Sequence, residues 1–307
     1  MTTAQAKPAL VGLRADSFVH VGVGQAFGEV DLPFVREAAT DYPYIPGSAF
    51  KGALRRAYWE AHPAWKTVTL EDGTERQVPD VGPDERIIFG DTSEAAGLLL
   101  VGDLRLAFLP VRSLGESFRY LTCPTLLRRV ARDLARCSQA PDPLPNFGQS
   151  GPAEREQAVA DEGEGRLFLE KYPFEVTKGF TETMDAFLEH LLKLLVTGDA
   201  DELAAIRRRI VLIDDDDFES FARHGLPVRM RNALDENKLV KSGALWSEEY
   251  LPPETLLQAV LADRSDGKGS LDPLAEIRTL LAARGGYQQI GGNETVGQGI
   301  CQLSMTP

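Results

Sequence analysis

Residues 44–56 read YIPGSAFKGALRR. Pro46 and Gly47 make a turn, Ser48 stands as a candidate N-cap, and Phe50, Leu54, Ala57 and Ala61 recur at helical spacing until Pro63 stops the run. The pattern predicts a helix over residues 48–62, with Lys51 in its first turn and Arg55 and Arg56 one turn later. Free N–H groups at such a terminus, with cations beside them, suit a phosphate. Lys51 and Arg55 are four apart, so they share a face and could meet a polyphosphate backbone in succession. A solvated basic helix face has the same spacing, and spacing alone does not choose between the two.

Upstream, LVGLRADSFVHVGVG (residues 10–24) nearly alternates apolar and polar residues and ends in glycines, which predicts a strand closed by a turn. Prolines 33, 43 and 46 make residues 31–47 an irregular loop. Downstream, residues 64–85 read as an exposed insertion, and RIIFGD (86–91) and GLLLVGDLRLAFLPV (97–111) as the next strands. TCPTLLRRVARDLARC (122–137) sets Leu126, Leu127, Val130 and Leu134 opposite arginines, an amphipathic helix, and residues 184–196 and 200–209 are helical too. The four aspartates 214–217 follow the apolar RIVLI; they could gather a metal, but a helix N-cap, favoured by the dipole, explains them more simply. LPVRMRNALDENKLVKSGALW (226–246) flanks the turn residues 235–237 with two strand-like runs, a β-hairpin. A helix over 272–284 and a glycine-rich loop lead into a terminal strand. Strands and helices interleave without a repeat, so one α+β domain over 1–307, with insertions, is expected.

The chain has 307 residues and a net charge of −13, which by itself argues against nucleic-acid binding. The distribution is uneven, however. Residues 101–136 hold seven arginines against three acids, whereas residues 141–165 hold six acids against Arg155 and read as a mobile acidic loop. The three cysteines lack CxxC spacing and the four histidines lack metal-ligand spacing, so a disulfide framework, a zinc site or a zincin is not expected. No secretory leader or apolar run of membrane-spanning length is seen, and a cytoplasmic location is expected.

Two glycine stretches imitate nucleotide motifs and fail. GVGQAFG (22–28) has its third glycine one residue late, with a proline-rich loop after it; GSAFKGA (47–53) puts Lys51 before Gly52 and lacks the following Ser or Thr. A mononucleotide-using enzyme is therefore disfavoured. GGNETVGQG (291–299) would let backbone amides approach a ligand closely, although a tight turn explains it as well.

Four stretches in this order, HVGVGQAFGEVDLPFVREAATDYPYIPGSAFKGALR (20–55), FLPVRSLGESFRYLTCPTLL (108–127), GALWSEEYLP (243–252) and GGNETVGQG, resemble the backbone RAMP subunit of the type III-B (Cmr) CRISPR effector complex. The resemblance implies a ferredoxin-like, RRM-related palm with the 226–246 hairpin as a thumb. Copies would stack head to tail along a CRISPR guide RNA, with other Cmr subunits, and cleave single-stranded target RNA paired to the guide. It implies that Asp31, the acid of the DLP motif, is catalytic, with His20, Glu248 and Glu249 as possible assistants. It sets Ser48, Lys51, Arg55 and Arg56, together with Gly291, Gly292, Asn293, Thr295 and Gly297, on the guide backbone. Cleavage would use a divalent cation, Mg or Mn, with Asp31 a candidate ligand, and no organic cofactor. A structural RNA-binding subunit without cleavage is the alternative. Read as residues alone, His20 suits a hydrogen-bonded strand histidine and the glutamates a solvated pair. The family commonly has an acid where Asn293 stands. The acidic excess is expected on the outer face, leaving the guide-facing side positive.

Overall fold

The computed structural model describes residues 8–24, 28–70, 74–91, 96–161, 164–265 and 271–307. Of the segments singled out above, residues 25–27 of the first glycine stretch, 71–73 of the 64–85 insertion and 162–163 of the acidic segment lie outside the described residues.

In chain order the first elements are β1 (Ala9–Ala15), β2 (Tyr44–Ile45), α1 (Gly47–Ala61), β3 (Ala64–Thr69), β4 (Glu75–Asp80) and α2 (Pro83–Phe89). Then come β5 (Leu99–Val101), β6 (Leu104–Arg112), β7 (Phe118–Thr122), α3 (Pro124–Arg136), α4 (Phe147–Ser150), β8 (Gln157–Ala160), β9 (Gly165–Leu169) and β10 (Tyr172–Lys178). The remainder is α5 (Glu182–Leu195), α6 (Ala200–Arg208), β11 (Ile210–Ile213), α7 (Asp215–His224), β12 (Val228–Leu234), β13 (Val240–Glu249), β14 (Leu256–Asp263), α8 (Pro273–Ala283), β15 (Tyr287–Gln289) and β16 (Ile300–Met305).

The protein is mixed α and β around one large, mostly antiparallel sheet in the order β15-β16-β1-β14-β6-β7-β11-β8-β10-β9, with β2 on β6 and β5 on β14. Parallel pairs join β7 to β11 and β8 to β10. The period-2 alternation of β1 sends Val11 and Leu13 into a core with Phe50 and Leu54 of α1 and Ile277 of α8. Leu10 points the other way, into a second core with Val130 of α3 and Phe187 and Leu191 of α5. Each of these large side chains stabilises the fold by about 1.5–3 kcal/mol through burial. On that second side Gly12 lets α5 press onto the strand: a Cβ there would stand 2.3 Å from the Leu195 Cα.

Several expectations need correction. Residues 141–165 are not a mobile loop among the described residues: they carry α4 and the buried β8, which the sheet takes between β11 and β10. The Asp217 carboxylate accepts the Glu156 N–H at 2.7 Å and fixes the entry to β8. RIIFGD is not a strand. Pro83 at the first helical position, with Asp84 and Glu85 behind it, starts α2 instead, and Gly90 (φ 89°) ends it. The exposed insertion narrows to the β3–β4 hairpin, since α2 buries Ile88 and Phe89. The aspartate run, by contrast, caps a helix as expected, with Asp214 Oδ1 accepting the Asp216 N–H. Arginines in the 101–136 segment are largely internally paired: Arg105 and Arg136 with Asp133, Arg112 with Glu170, Arg128 with Asp215 and Arg129 with Glu37. Among the described residues no helix is long and apolar enough to cross a membrane.

Candidate nucleic-acid interface

The hairpin β12–β13 stands on the body by one end and is exposed over most of its length. It runs three residues past the expected 226–246, because β13 continues as a ladder through Glu249. Cross-strand partners share a face, so Met230 with Ser247 and Asn232 with Leu245 lie on one side, and Arg229 with Glu248 and Arg231 with Trp246 on the other. The first side is bare and apolar at Met230 (63% exposed) and Leu245. At its foot it is covered by the loop that holds Asp31.

That loop joins β13 as a short parallel addition. Leu32 bridges to Glu248; its N–H donates to the Ser247 carbonyl, and its carbonyl accepts the Glu249 N–H. Glu249 fastens the next turn, accepting the Phe34 N–H on Oε2 at 2.9 Å and the Arg36 guanidinium on Oε1 at 2.6 Å. Asp31 itself is exposed. Its Oδ2 accepts the Ser247 N–H at 2.7 Å and the Ser247 hydroxyl at 2.8 Å, while its own N–H donates to Ser247 Oγ at 2.9 Å. The Ser247 amide, followed by its hydroxyl, holds the Asp31 carboxyl below its ordinary value of 3.8, so it stays ionised.

On the opposite face Glu248 is buried and fully engaged. Oε1 accepts the Trp246 indole N–H at 2.6 Å; Oε2 accepts the Tyr250 hydroxyl and the Asn293 amide, with Arg231 3.6 Å away. Burial would raise this carboxyl, but the hydrogen bonds from Trp246, Tyr250 and Asn293 and the Arg231 charge outweigh it and leave it below 4.5. The two glutamates are therefore not a solvated pair. Asn293 adopts the left-handed conformation (φ 62°) and offers a donor where an acid would face Glu248. His20 sits edge-on to Tyr250, and its Nδ1 lies 2.8 Å from the Glu249 carbonyl. Since that carbonyl can only accept, Nδ1 carries a proton. Arg229 lies over the Phe18 ring, 3.5 Å from its centroid.

The glycine-rich turn connects this foot to α1. Gly292 N–H donates to the His20 carbonyl, and Gly291 (φ 86°) comes so close that a Cβ would lie 2.4 Å from that oxygen. Thr295 and Gly297 are exposed, and the Gln288 amide donates to Ala53 of α1. Ser48 is not the N-cap of α1: Pro46 holds that position without a side-chain bond, and Asp103 accepts the Gly47 N–H at 2.7 Å. Lys51 donates to the Leu99 carbonyl, and burial, with the nearby Arg55 and Arg264 charges, pushes its ammonium pKa down. Arg55 binds Glu85 at 2.6 Å. Arg56 is 69% exposed, paired with Glu60 and lying over Trp59. Ser48, Gly52 and Arg56 form the exposed ridge of the helix, and a Cβ on Gly52 would meet nothing within 4 Å. Beside it a cleft of about 340 Å³ is lined by Gly52, Arg55, Arg56, Trp59, Asp80 and Glu85.

Asp31, His20, Glu248, Glu249, Gly291, Gly292 and Asn293 thus gather at the foot of the hairpin, and the α1 cations form a second group linked through the glycine-rich turn. Sequence reading passed over Ser247, Tyr250 and Trp246. The alternation of GALWSEEYLP held the signal, since residues 247 and 249 must share a face. No group of three or more acids, histidines or cysteines among the described residues could hold a metal by itself.

The RAMP superfamily pattern matches residues 13–302. The chain is 32% identical over 306 residues to the CRISPR system Cmr endoribonuclease Cmr4 of Pyrococcus furiosus, covering 97% of this chain and 96% of that protein. A crystal structure of oligomeric Cmr4 from Pyrococcus furiosus matches with a TM-score of 0.66 at 26% identity, covering 99% of this chain and 98% of the other. A chain in a cryo-EM structure of the type III-B Cmr-beta complex bound to cognate target RNA shares the fold, with a TM-score of 0.69 at 20% identity and 98% of both chains covered.

Proposed function

The chain belongs to the RAMP superfamily, and from that premise we propose that it is the endoribonuclease backbone subunit of a type III-B (Cmr) CRISPR effector complex, cutting target RNA paired to a guide. The observation that carries the reading is an ionised, exposed carboxylate held at the foot of a bare apolar hairpin face. RNA brings its own nucleophile, the 2′-hydroxyl, but an A-form duplex keeps that oxygen out of line with the neighbouring phosphate. Met230 and Leu245, wedged into the duplex, unstack a nucleotide at a cost of about a few kcal/mol and bend the strand toward Asp31. Asp31 Oδ1 then orients the 2′-hydroxyl. In the neutral tautomer that the Glu249 carbonyl selects, His20 Nε2 can accept its proton. Glu248 and Glu249 keep their oxygens occupied and serve by fixing the hairpin to the glycine turn and to the Asp31 loop.

The donor set suits a divalent cation, Mg or Mn, only in company with RNA: Asp31 Oδ1 would be one carboxylate ligand, phosphate and water would complete the shell, and the ion would neutralise charge on the reacting phosphate. Guide phosphates run along the Ser48, Gly52 and Arg56 ridge past Lys51, whose depressed pKa an anion would relieve, and along the exposed amides of the glycine turn. The run β16-β1-β14-β6, with α1 and α8 on one side and α3 and α5 on the other, supports a ferredoxin-like palm. Copies follow the linear guide by heterologous, head-to-tail contacts.

Asp31→Asn in the assembled complex tests the assignment. Guide RNA of defined length should still copurify, while cleavage falls by about 10²–10⁴. Unchanged cutting would leave this chain a structural RNA-binding subunit.

A further inference from the structure

The loop carrying Asp31 is docked on β13 by bonds other than those of the Asp31 side chain. Leu32 makes main-chain bonds to Ser247 and Glu249, and Glu249 receives Phe34 and Arg36. The Ser247 hydroxyl is therefore not needed to hold the loop, yet it is buried and spends both of its functions on one residue. A serine has one hydroxyl proton. With that proton given to Asp31 Oδ2, an oxygen lone pair receives the Asp31 N–H, and a single hydroxyl orientation satisfies both bonds. The Ser247 N–H adds a second donor to the same Oδ2. Both Ser247 donors end on Oδ2, which leaves Oδ1 as the oxygen they do not occupy.

We infer that Ser247 is a positioning residue for RNA cleavage: it clamps Oδ2 of Asp31 to β13, so that the carboxylate meets RNA through Oδ1 alone, in fixed register with the apolar face of the hairpin. The register is set directly, because Ser247 is the cross-strand partner of Met230. A nucleotide displaced by Met230 is thus presented to an oxygen whose orientation is fixed from the same pair of residues. The inference rests on Asp31 being catalytic.

The test uses the complex assembled on its guide, with saturating target RNA and single-turnover cleavage. Ser247→Ala keeps the main-chain N–H on Oδ2 and removes both hydroxyl bonds, so the rate should fall about 10- to 100-fold, less than for Asp31→Asn. Target affinity and the spacing of cuts should stay unchanged. Ser247→Thr, which restores the hydroxyl on a strand-favouring residue, should return the rate to within a few-fold. Ser247→Cys keeps the volume but donates weakly and should fall as Ala does, which separates positioning from packing. In the Asp31→Asn background, Ser247→Ala should cost nothing further. A wild-type rate for Ser247→Ala, with Asp31→Asn inactive, overturns the positioning role alone, as does a loss that Thr does not repair. Normal cutting by Asp31→Asn overturns the catalytic reading beneath it.

Discussion

Glu248 shows how a single carboxylate can tie three segments together: the hairpin through Trp246 and Arg231, the chain leaving it through Tyr250, and the glycine turn through Asn293. Its folded pKa lies below 4.5, so the stability it contributes is present above that value and disappears as pH falls through the lowered one. Thermal melts of the isolated chain between neutral and acid pH should therefore show a lower melting temperature for Glu248→Gln at neutrality, and a shallower acid-side decline than in the parent. Asn293→Asp sets two carboxylates against each other and should destabilise at neutral pH but regain stability on acidification. At this scale the sequence was partly legible. Asp31 stood out by its motif, whereas Glu248 and Glu249 looked like solvent-facing strand residues. Polar residues on an alternating strand imply water unless one knows what packs on them, and here the cover comes from residues 31–36 and 291–293, distant along the chain.

The hairpin and α1 carry predictions of their own. Met230→Asp and Leu245→Asp alter exposed positions, so the fold should change by no more than about 0.5 kcal/mol. Cleavage should nevertheless drop, because a charged face does not wedge between stacked bases; melting curves and cleavage assays on the same preparations separate the two effects. Gly52→Ala in α1 should stabilise the helix by about 1 kcal/mol, since open space surrounds its Cβ position. If guide phosphates lie on that ridge, the same variant should retain less guide after salt washing. The hairpin was readable from its turn residues at 235–237 and α1 from its apolar stripe. β8 escaped because Ala158–Ala160 is a short apolar run among acids that becomes a strand only when β10 and β11 receive it. α2 was misread because Ile87, Ile88 and Phe89 favour strands, while the start signal lies in Pro83.

Over the whole molecule the net charge of −13 and the internal pairing of most arginines between 101 and 136 leave few free cations for RNA. Contact with about three phosphates per copy implies a slope of only about −2 in log affinity against log salt. A filter-binding series on assembled complexes, divided by copy number, measures it. A much steeper slope would point to cations outside α1. Mixed α and β content was legible from interleaved patterns, but the sheet order was not. β1 pairs with β14 and β16, and no local signal announces partners more than two hundred residues away.

The ladder between residue 32 and β13 also limits how this gene can drift in length. Side chains alternate along β13, so a one-residue insertion or deletion between Leu245, the partner of Asn232, and Ser247 turns the later positions over, bringing Trp246 or Glu248 opposite Asp31. Length changes at the 235–239 tip leave that phase untouched. Homologues should therefore vary freely in tip length while keeping the serine two positions after the residue that pairs with position 232.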